Sequence, residues 1–263
     1  MKIVTYNLYG LKSRKENVAS LLQKHDPEFL CLQETWHPVE ELNHNMFKHF
    51  ETKVHLPTLD KRGEGIGILG YGKNLTPTLP EYLCKYRNAT YVKYDDYHII
   101  NIHAPWKFYE SSFGYNHKSK WFHDLAQWLS GNFNLEEDKI ILLGDFNINL
   151  DEKCIEDINE DADEPMVGLR PSEHSMMEQL FELGFVDAYE HADDLDRDRV
   201  QYTWFDPNEE QDPQRIDYAL VSCSLIDDII SCQTLPEFRL RDDASDHVPL
   251  MLELVDYPTG VIG

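Results

Sequence analysis

The chain lacks any apolar run long enough to cross a membrane. Its 263 residues contain no stretch of the roughly 18 apolar residues that a membrane-spanning helix needs. The N-terminal segment alternates polar and apolar side chains and does not form the apolar centre of a signal peptide. These two absences predict a cytoplasmic protein without a membrane span.

Paired cysteines and basic residues are also scarce. The five cysteines include no Cys-x-x-Cys pair, and Cys31 stands in the apolar run of residues 29–32, so we expect buried free thiols. Only 24 lysines and arginines oppose 48 acidic residues, which gives a formal net charge of -24. A field of that sign repels polyanions at long range. The composition therefore fits a basic partner, a small substrate or an acid-adapted solubility strategy better than a generic nucleic-acid binder.

Short apolar segments predict an α+β fold. No linker or repeat divides them, which predicts one domain over residues 1–255 and a C-terminal tail at 256–263. Helices are expected from a capping box at residues 13–16, around residues 121–129, and over 172–183 before Gly184. Segments rich in Ile, Val, Leu and Tyr predict strands at residues 2–8, 28–33, 65–71, 89–94, 97–103, 139–143, 216–222 and 248–255. Strands that do not alternate regularly with helices indicate α+β layers packed around sheets.

Polar side chains suited to phosphoester chemistry stand where several predicted strands end. Asn7 closes the first strand, Glu34 follows an apolar strand, and His103 ends another. Hard cations such as Mg²⁺ prefer carboxylate and amide oxygens, and a histidine can transfer a proton. Each residue also has a purely structural explanation, since an Asn makes turns, a strand-end Glu faces solvent, and a histidine can be a satisfied core or surface residue.

The C-terminal half carries stronger signals. A buried strand ends in a Gly-Asp-Phe-Asn sequence, and its Asp145 and Asn147 point the same way in extended backbone. Asp246 and His247 stand side by side before the last strand, where such a pair can bind a metal ion and act as a base. Asp217 lies inside an apolar strand, and a buried carboxylate needs a partner. We expect that partner to be His247, whose tautomer and basicity Asp217 would then fix.

Taken together and in order, these segments resemble the endonuclease/exonuclease/phosphatase superfamily over essentially residues 1–255. The resemblance is carried by Asn7, Gln33-Glu34, Asn101-Ile102-His103, Gly144-Asp145-Phe146-Asn147, Tyr202-Thr203-Trp204, Arg215-Ile216-Asp217-Tyr218 and Ser245-Asp246-His247. It implies a four-layer α/β/β/α sandwich, in which two packed mixed sheets are flanked by helices and a single active site lies at one rim. It also implies hydrolysis of a phosphoester with Mg²⁺ or Mn²⁺ as the cofactor.

The resemblance further implies a metal site and a water-binding group. Glu34 would be the principal ligand of the Mg²⁺ or Mn²⁺ ion, with Asn7 and Asp246 as nearby contacts to the metal or the phosphate. Asp145 and Asn147 would orient the attacking water and the phosphate.

Further roles fall on the histidines and on one tryptophan. By the same resemblance, His247 paired with Asp217 would act as a base or a phosphate clamp. His103 would stabilise the phosphorane or protonate the leaving group. Trp204 would stack on a sugar or base of the substrate, although a core tryptophan would give the same pattern.

The resemblance does not fix the substrate. Residues 7–12 resemble the opening pattern of exonuclease III-like apurinic/apyrimidinic endonucleases, and residues 202–206 resemble the aromatic segment that lines their abasic-sugar pocket. His103 instead resembles the pancreatic deoxyribonuclease, sphingomyelinase and phosphatase branches, and the acidic stretch 151–164 follows Asp145 where duplex binders present basic side chains. We expect a monomeric nuclease or phosphodiesterase acting on DNA. The alternative is a phosphatase or phosphodiesterase for small-molecule or lipid head-group esters.

Overall fold

Two β-sheets form the centre of the molecule. The computed structural model describes residues 1–36, 45–56, 65–71, 76–77, 88–105, 117–150, 154, 171–192, 202–206 and 213–255. The strands within these residues are β1 (Lys2–Asn7), β2 (Phe29–Gln33), β3 (Thr52–Leu56), β4 (Ile66–Gly70), β5 (Thr76–Pro77), β6 (Ala89–Tyr94), β7 (Tyr97–His103), β8 (Lys139–Asp145), β9 (Phe185–Asp187), β10 (Asp217–Ser222), β11 (Ile229–Thr234) and β12 (Leu250–Leu254). The helices are α1 (Lys15–His25), α2 (His117–Asn132), α3 (Pro171–Glu182) and α4 (Ala188–His191).

Each sheet has six strands in the described part of the chain. The strand order is β11-β12-β1-β2-β4-β3 in the first sheet and β5-β6-β7-β8-β10-β9 in the second. β1 runs parallel to β2, and β7 runs parallel to β8, whereas the other described neighbours are antiparallel. Both sheets are therefore mixed.

Alternation along the strands divides the apolar side chains between the sheet interface and the helices. On β8, Ile141 and Leu143 pack between the two sheets, whereas Ile140 and Leu142 pack with side chains of α2 and α3. On the opposite side, Val18 of α1 packs on the outer face of the first sheet. A strand buried on both faces needs apolar residues at nearly every position, which explains the continuous runs in the sequence. The resulting four layers confirm the predicted fold class.

A buried polar link crosses the interface between the sheets. Gln33 of β2 donates from Nε2 to Asn101 Oδ1 on β7 at 2.5 Å and to Thr5 Oγ1 at 2.9 Å. Asn101 donates in turn to the backbone carbonyl oxygens of Leu32 and Gly67, at 3.1 and 2.9 Å. Because buried amides are costly without partners, these bonds favour one position of β7 across β2.

The strands that the sequence predicts are all present, and those that it does not predict share one property. The unpredicted strands β3, β5, β9 and β11 are the outermost strands of the two sheets in the described part of the chain. An edge strand has a neighbour on one side only and can leave part of its length exposed, as β11 does at Ile230 and Gln233. Short or polar edge strands therefore give little signal in a search for apolar runs.

The start of the first helix differs from its prediction. The capping box at residues 13–16 is wrong, because Ser13 lies inside a 3-10 turn at Leu11–Arg14 and α1 begins at Lys15 without a side-chain cap. The end of α3 agrees with the sequence. Gly184, at a φ of 104°, follows it and donates from its N–H to the carbonyl oxygen of Phe181 at 2.9 Å.

The remaining sequence predictions are tested only in part. Cys31, Cys154 and Cys232 are free and buried, as expected, and Cys223 is free and partly buried. Cys84, the tail at 256–263 and nearly all of the acidic stretch at 151–164 lie outside the described residues. None of the described helices is long and apolar enough to span a membrane.

Gly144, next to the end of β8, should tolerate no side chain. Its φ is 137°, and an added Cβ would overlap the backbone carbonyl oxygen of Ile102 on β7. We expect Gly144→Ala to lower the free energy of unfolding by about 3 kcal/mol or more, measured by urea denaturation. Gly131 in α2 is the matched control, because an added Cβ there meets no atom within 4 Å. Gly131→Ala should be neutral or stabilising by up to about 1 kcal/mol, and equal stability of the two variants would contradict the argument.

Candidate active site

The pairing of the strands brings the expected polar residues to one rim. On the parallel strands β1 and β2, Asn7 stands opposite Gln33, so that Glu34 emerges beside Asn7. On the parallel strands β7 and β8, His103 stands opposite Asp145. Asp217 begins the antiparallel strand β10 and also pairs with Asp145. Residues that are far apart in the sequence therefore meet where these strands end or begin.

The amide of Asn7 joins carboxylates from both sheets. Its Nδ2 donates to Glu34 Oε1 at 3.2 Å and to Asp145 Oδ2 at 3.0 Å, while its Oδ1 accepts from the backbone N–H of Tyr9 at 3.2 Å. His103 Nε2 lies 3.6 Å from Glu34 Oε1 and 3.7 Å from Asp145 Oδ2. Glu34, Asp145 and His103 are thus within reach of a single small ligand.

Asp217 and His247 form the pair that the sequence predicts. His247 Nδ1 lies 2.8 Å from Asp217 Oδ2, and its Nε2 lies 3.9 Å from Asp145 Oδ2. Burial alone would lower the pKa of His247, but the carboxylate of Asp217, assisted by Asp145 and Asp246, raises that pKa to about 10. Burial raises the pKa of Asp145, and the charge of Asp217 raises it further. Ligand atoms of Asp145, Asp217 and His247 all lie within 4.8 Å of one another, close enough to hold a metal ion.

A buried ion pair between α2 and α3 supports the loop that follows β8. The backbone N–H of Asn147 donates to Asp145 Oδ1 at 2.9 Å, and its Nδ2 donates to the carbonyl oxygen of Ala104 at 2.9 Å. Lys118 Nζ donates to the carbonyl oxygen of Asn147 at 2.7 Å and to Glu173 Oε1 at 2.5 Å. The side chains of Lys118 and Glu173 are completely buried. The outer helices α2 and α3 therefore fix the backbone of Asn147.

Ser245 connects Asp246 with the rest of the rim. Its hydroxyl lies 2.8 Å from the carbonyl oxygen of Asn7 and 3.1 Å from Asp246 Oδ1, and it accepts from the backbone N–H of His247 at 3.2 Å. Trp204 Nε1 donates to Asp246 Oδ2 at 3.3 Å. Trp204 is partly buried, so its indole both supports Asp246 and keeps some surface for a ligand.

Several supporting residues have no role in the sequence analysis. Thr203 Oγ1 accepts from the backbone N–H groups of Ile216 and Asp217, both at 3.0 Å, and thereby sets the start of β10. Trp36 Nε1 donates to Glu34 Oε2 at 3.1 Å. The sequence gives no signal for the pair of Lys118 and Glu173, because these residues are 55 positions apart and look like ordinary helix-surface charges. Only the fold brings them together.

Replacing Asp217 with Asn should lower the pKa of His247. In protein kept free of metal with EDTA, NMR titration of the His247 ring should give a pKa of about 10 in the unaltered chain. In Asp217→Asn the pKa should fall well below that value, because burial is then opposed only by the weaker effects of Asp145 and Asp246.

The same variant should change the dependence of stability on pH. A folded-state pKa above the unfolded value stabilises the fold fully below pH ~6.5, and this stabilisation is lost as the pH rises through about 10. The fall in stability over that window should therefore be smaller in Asp217→Asn. Asp124→Asn on the surface of α2 is the control, and identical titrations of His247 in all three proteins would contradict the assignment.

Comparison with known proteins agrees with this geometry. The model of the Endonuclease/Exonuclease/phosphatase family matches residues 4–247. Exodeoxyribonuclease III of Haemophilus influenzae is 23% identical over 96% of this chain and 99% of its own length. The DNA repair nuclease APEX1 of Danio rerio is 26% identical over 97% of this chain and 82% of its own length.

A solved structure extends the likeness to the whole fold. The 3′ phosphatase NExo from Neisseria, bound to product DNA hairpin, has a TM-score of 0.82 at 23% identity, over 98% of this chain and 100% of that chain. The family match covers almost the whole sequence, and the strands that it spans carry the polar rim. This protein therefore belongs to the endonuclease/exonuclease/phosphatase family.

Proposed function

We propose that this protein hydrolyses phosphodiesters of DNA with the help of a divalent metal ion. The observation that carries the proposal is the set of groups around Asp145 Oδ2, which lies 3.0 Å from Asn7 Nδ2, 3.7 Å from His103 Nε2 and 3.9 Å from His247 Nε2. The attacking water, the charged phosphorus centre and the leaving oxygen each need a different neighbour, and such a rim supplies them. The relatives named exodeoxyribonuclease III and DNA repair nuclease support DNA as the substrate.

The donor atoms at the rim fit Mg²⁺ or Mn²⁺. Burial and the charge of Asp217 raise the pKa of Asp145, and a nearby cation would relieve this accumulation of negative charge. Glu34 and Asp246 would supply carboxylate oxygens, with Asn7 beside them, and such oxygens are what hard cations prefer. When bound, the ion would neutralise phosphate charge and favour ionisation of water.

Asp145, His247 and His103 would have different roles in the reaction. With its pKa raised to about 10 in the metal-free protein, His247 is an imidazolium near neutral pH. It would therefore clamp a phosphate oxygen through Nε2. Asp145 has a raised pKa and is the stronger candidate to accept the proton of the attacking water, with Asn147 orienting its carboxylate. His103 would stabilise the phosphorane or protonate the leaving oxygen. Trp204 would contact the sugar or base.

A phosphatase or phosphodiesterase for small esters is the second candidate. The observation in its favour is the net charge of -24, which opposes the approach of a polyanion. A small phosphoester carries less charge and would meet less repulsion. Both candidate functions use the same catalytic rim and differ only in the substrate that binds there.

Hydrolysis assays separate these candidates. The protein should cut abasic duplex DNA or plasmid DNA with Mg²⁺ or Mn²⁺, and EDTA should stop the reaction. A bis-aryl phosphodiester and simple phosphomonoesters complete the panel. Cleavage of the small esters alone would exclude DNA as the substrate, and cleavage of none of the four would exclude the hydrolase assignment.

Glu34→Gln keeps the shape of the side chain and removes its charge. We expect the metal-dependent rate to fall by about three orders of magnitude or more, because the principal carboxylate ligand is lost. Mn²⁺ binding, measured by calorimetry, should weaken in the same variant. The exposed Glu137 offers a matched control, because it precedes β8 at the end opposite Asp145, and Glu137→Gln removes the same charge there. Unchanged Mn²⁺ affinity in Glu34→Gln would refute the metal assignment.

A further inference from the structure

An aromatic pair stands at the rim beside Glu34. The rings of Tyr9 and Trp36 have centroids 4.4 Å apart at an interplanar angle of 59°. Trp36 is fixed by its hydrogen bond from Nε1 to Glu34 Oε2, and it also packs against Gly10, where an added Cβ would lie 3.1 Å from the indole. Tyr9 is 42% exposed, which is unusual for a large side chain so close to buried polar groups. The exposed ring of Tyr9 is thus supported by Trp36, which is itself held by Glu34.

The backbone that presents the pair is held in an unfavourable conformation. Tyr9, Glu34 and Trp36 all have left-handed φ values, of 46°, 46° and 56°. Each such residue costs on the order of 1 kcal/mol or more, and such conformations, which the surrounding structure must hold in place, cluster at active sites and ligand clamps. Backbone hydrogen bonds from the N–H groups of Gly10 and Leu11 to the carbonyl oxygens of Glu34 and Thr35, at 2.8 and 3.0 Å, hold the two loops together.

A cation lies over the exposed ring. The guanidinium carbon of Arg14 is 5.5 Å from the centroid of Tyr9. In a chain with a net charge of -24, this arginine places a positive charge against an exposed aromatic ring beside a proposed metal ligand. Nucleobases stack on aromatic rings and on guanidinium planes, and the phosphates that follow them need positive charge.

We propose that Tyr9, supported by Trp36 and flanked by Arg14, is the stacking surface for an unpaired nucleobase of the substrate strand. The inference rests on the proposed function, and it names the part of the substrate that the metal site alone would not recognise. Stacking is short-ranged and needs no net positive field, so it can operate in an acidic protein where long-range attraction to DNA is weak. A lipid head group or a small ester would have no base to place there.

Binding of a labelled single-stranded oligonucleotide, followed by fluorescence anisotropy in EDTA, tests this surface without catalysis. Tyr9→Leu should weaken binding by about 5- to 150-fold, the range expected for one stacked base. Tyr9→Phe, which keeps the ring, should restore it. Ile230→Ala is the control, because Ile230 is similarly exposed, at 46%, on the edge strand β11.

An oligonucleotide of the same length in which every nucleotide is abasic separates base stacking from the other contributions to binding. The unaltered protein and Tyr9→Leu should bind it equally. The inference would be overturned if Tyr9→Leu lost the same affinity for both oligomers, or if the two proteins bound the base-containing oligomer equally. Absence of binding by the unaltered protein would also overturn it. Because the readout is binding, failure of DNA hydrolysis in the assays above would refute the proposed function separately.

Discussion

The hydrogen bond between Gln33 and Asn101 is the contact on which the rim depends most directly. It joins β2 of one sheet to β7 of the other, at 2.5 Å and in a fully buried position. Glu34 follows Gln33 immediately, and His103 follows Asn101 by two residues. Packing between two apolar faces tolerates sliding better than a bond between two buried amides does, because only the amides leave a donor and an acceptor unsatisfied when they move apart. The relative position of Glu34 and His103 therefore follows from a polar contact inside an apolar interface.

A second layer of support comes from outside the sheets. Lys118 and Glu173 form a completely buried ion pair whose ammonium also donates to the backbone carbonyl oxygen of Asn147. A buried ion pair adds little net stability compared with an apolar pair, because both charges lose their hydration. Its value here is geometric, since it fixes a carbonyl group beside Asp145. Arg215 is held in a comparable way near Asp217, with its guanidinium 2.7 Å from Asp187 Oδ2.

The accumulation of negative charge at the rim supports the proposed chemistry and the proposed binding of a cation there. Asp145 and Asp217 raise the pKa of His247 to about 10 against the effect of burial, while Asp217 also raises the pKa of Asp145. Without a cation, Asp145 and His247 tend to hold protons at the positions where a metal ion and a phosphate would bind in the proposed reaction. The same charge balance makes stacking on Tyr9 a reasonable means of holding a polyanionic substrate, because stacking does not depend on the sign of the surrounding field.

The sequence by itself determined the interior strands and the polar residues at the strand ends, and its resemblance to the family implied the order of the layers. Central strands are buried on both faces and must be apolar throughout, so they are visible as runs, and Asp217 stood out because it interrupts such a run. The edge strands β3, β5, β9 and β11 were not predicted, since each is short or contains polar residues that interrupt an apolar run.

Only the tertiary structure decided how these residues support one another. It paired Lys118 with Glu173, placed Trp36 against Glu34, and turned the amide of Asn7 toward two carboxylates. Local sequence carries no trace of the contacts of Lys118 and Asn7, because these contacts join side chains from separate elements whose meeting depends on the packing of the whole domain. Trp36 and Glu34 lie two residues apart in one loop, and there the fold decided only the orientation of the indole. The sequence therefore predicts which residue types form the rim, whereas the distances and contacts between them are decided by the fold.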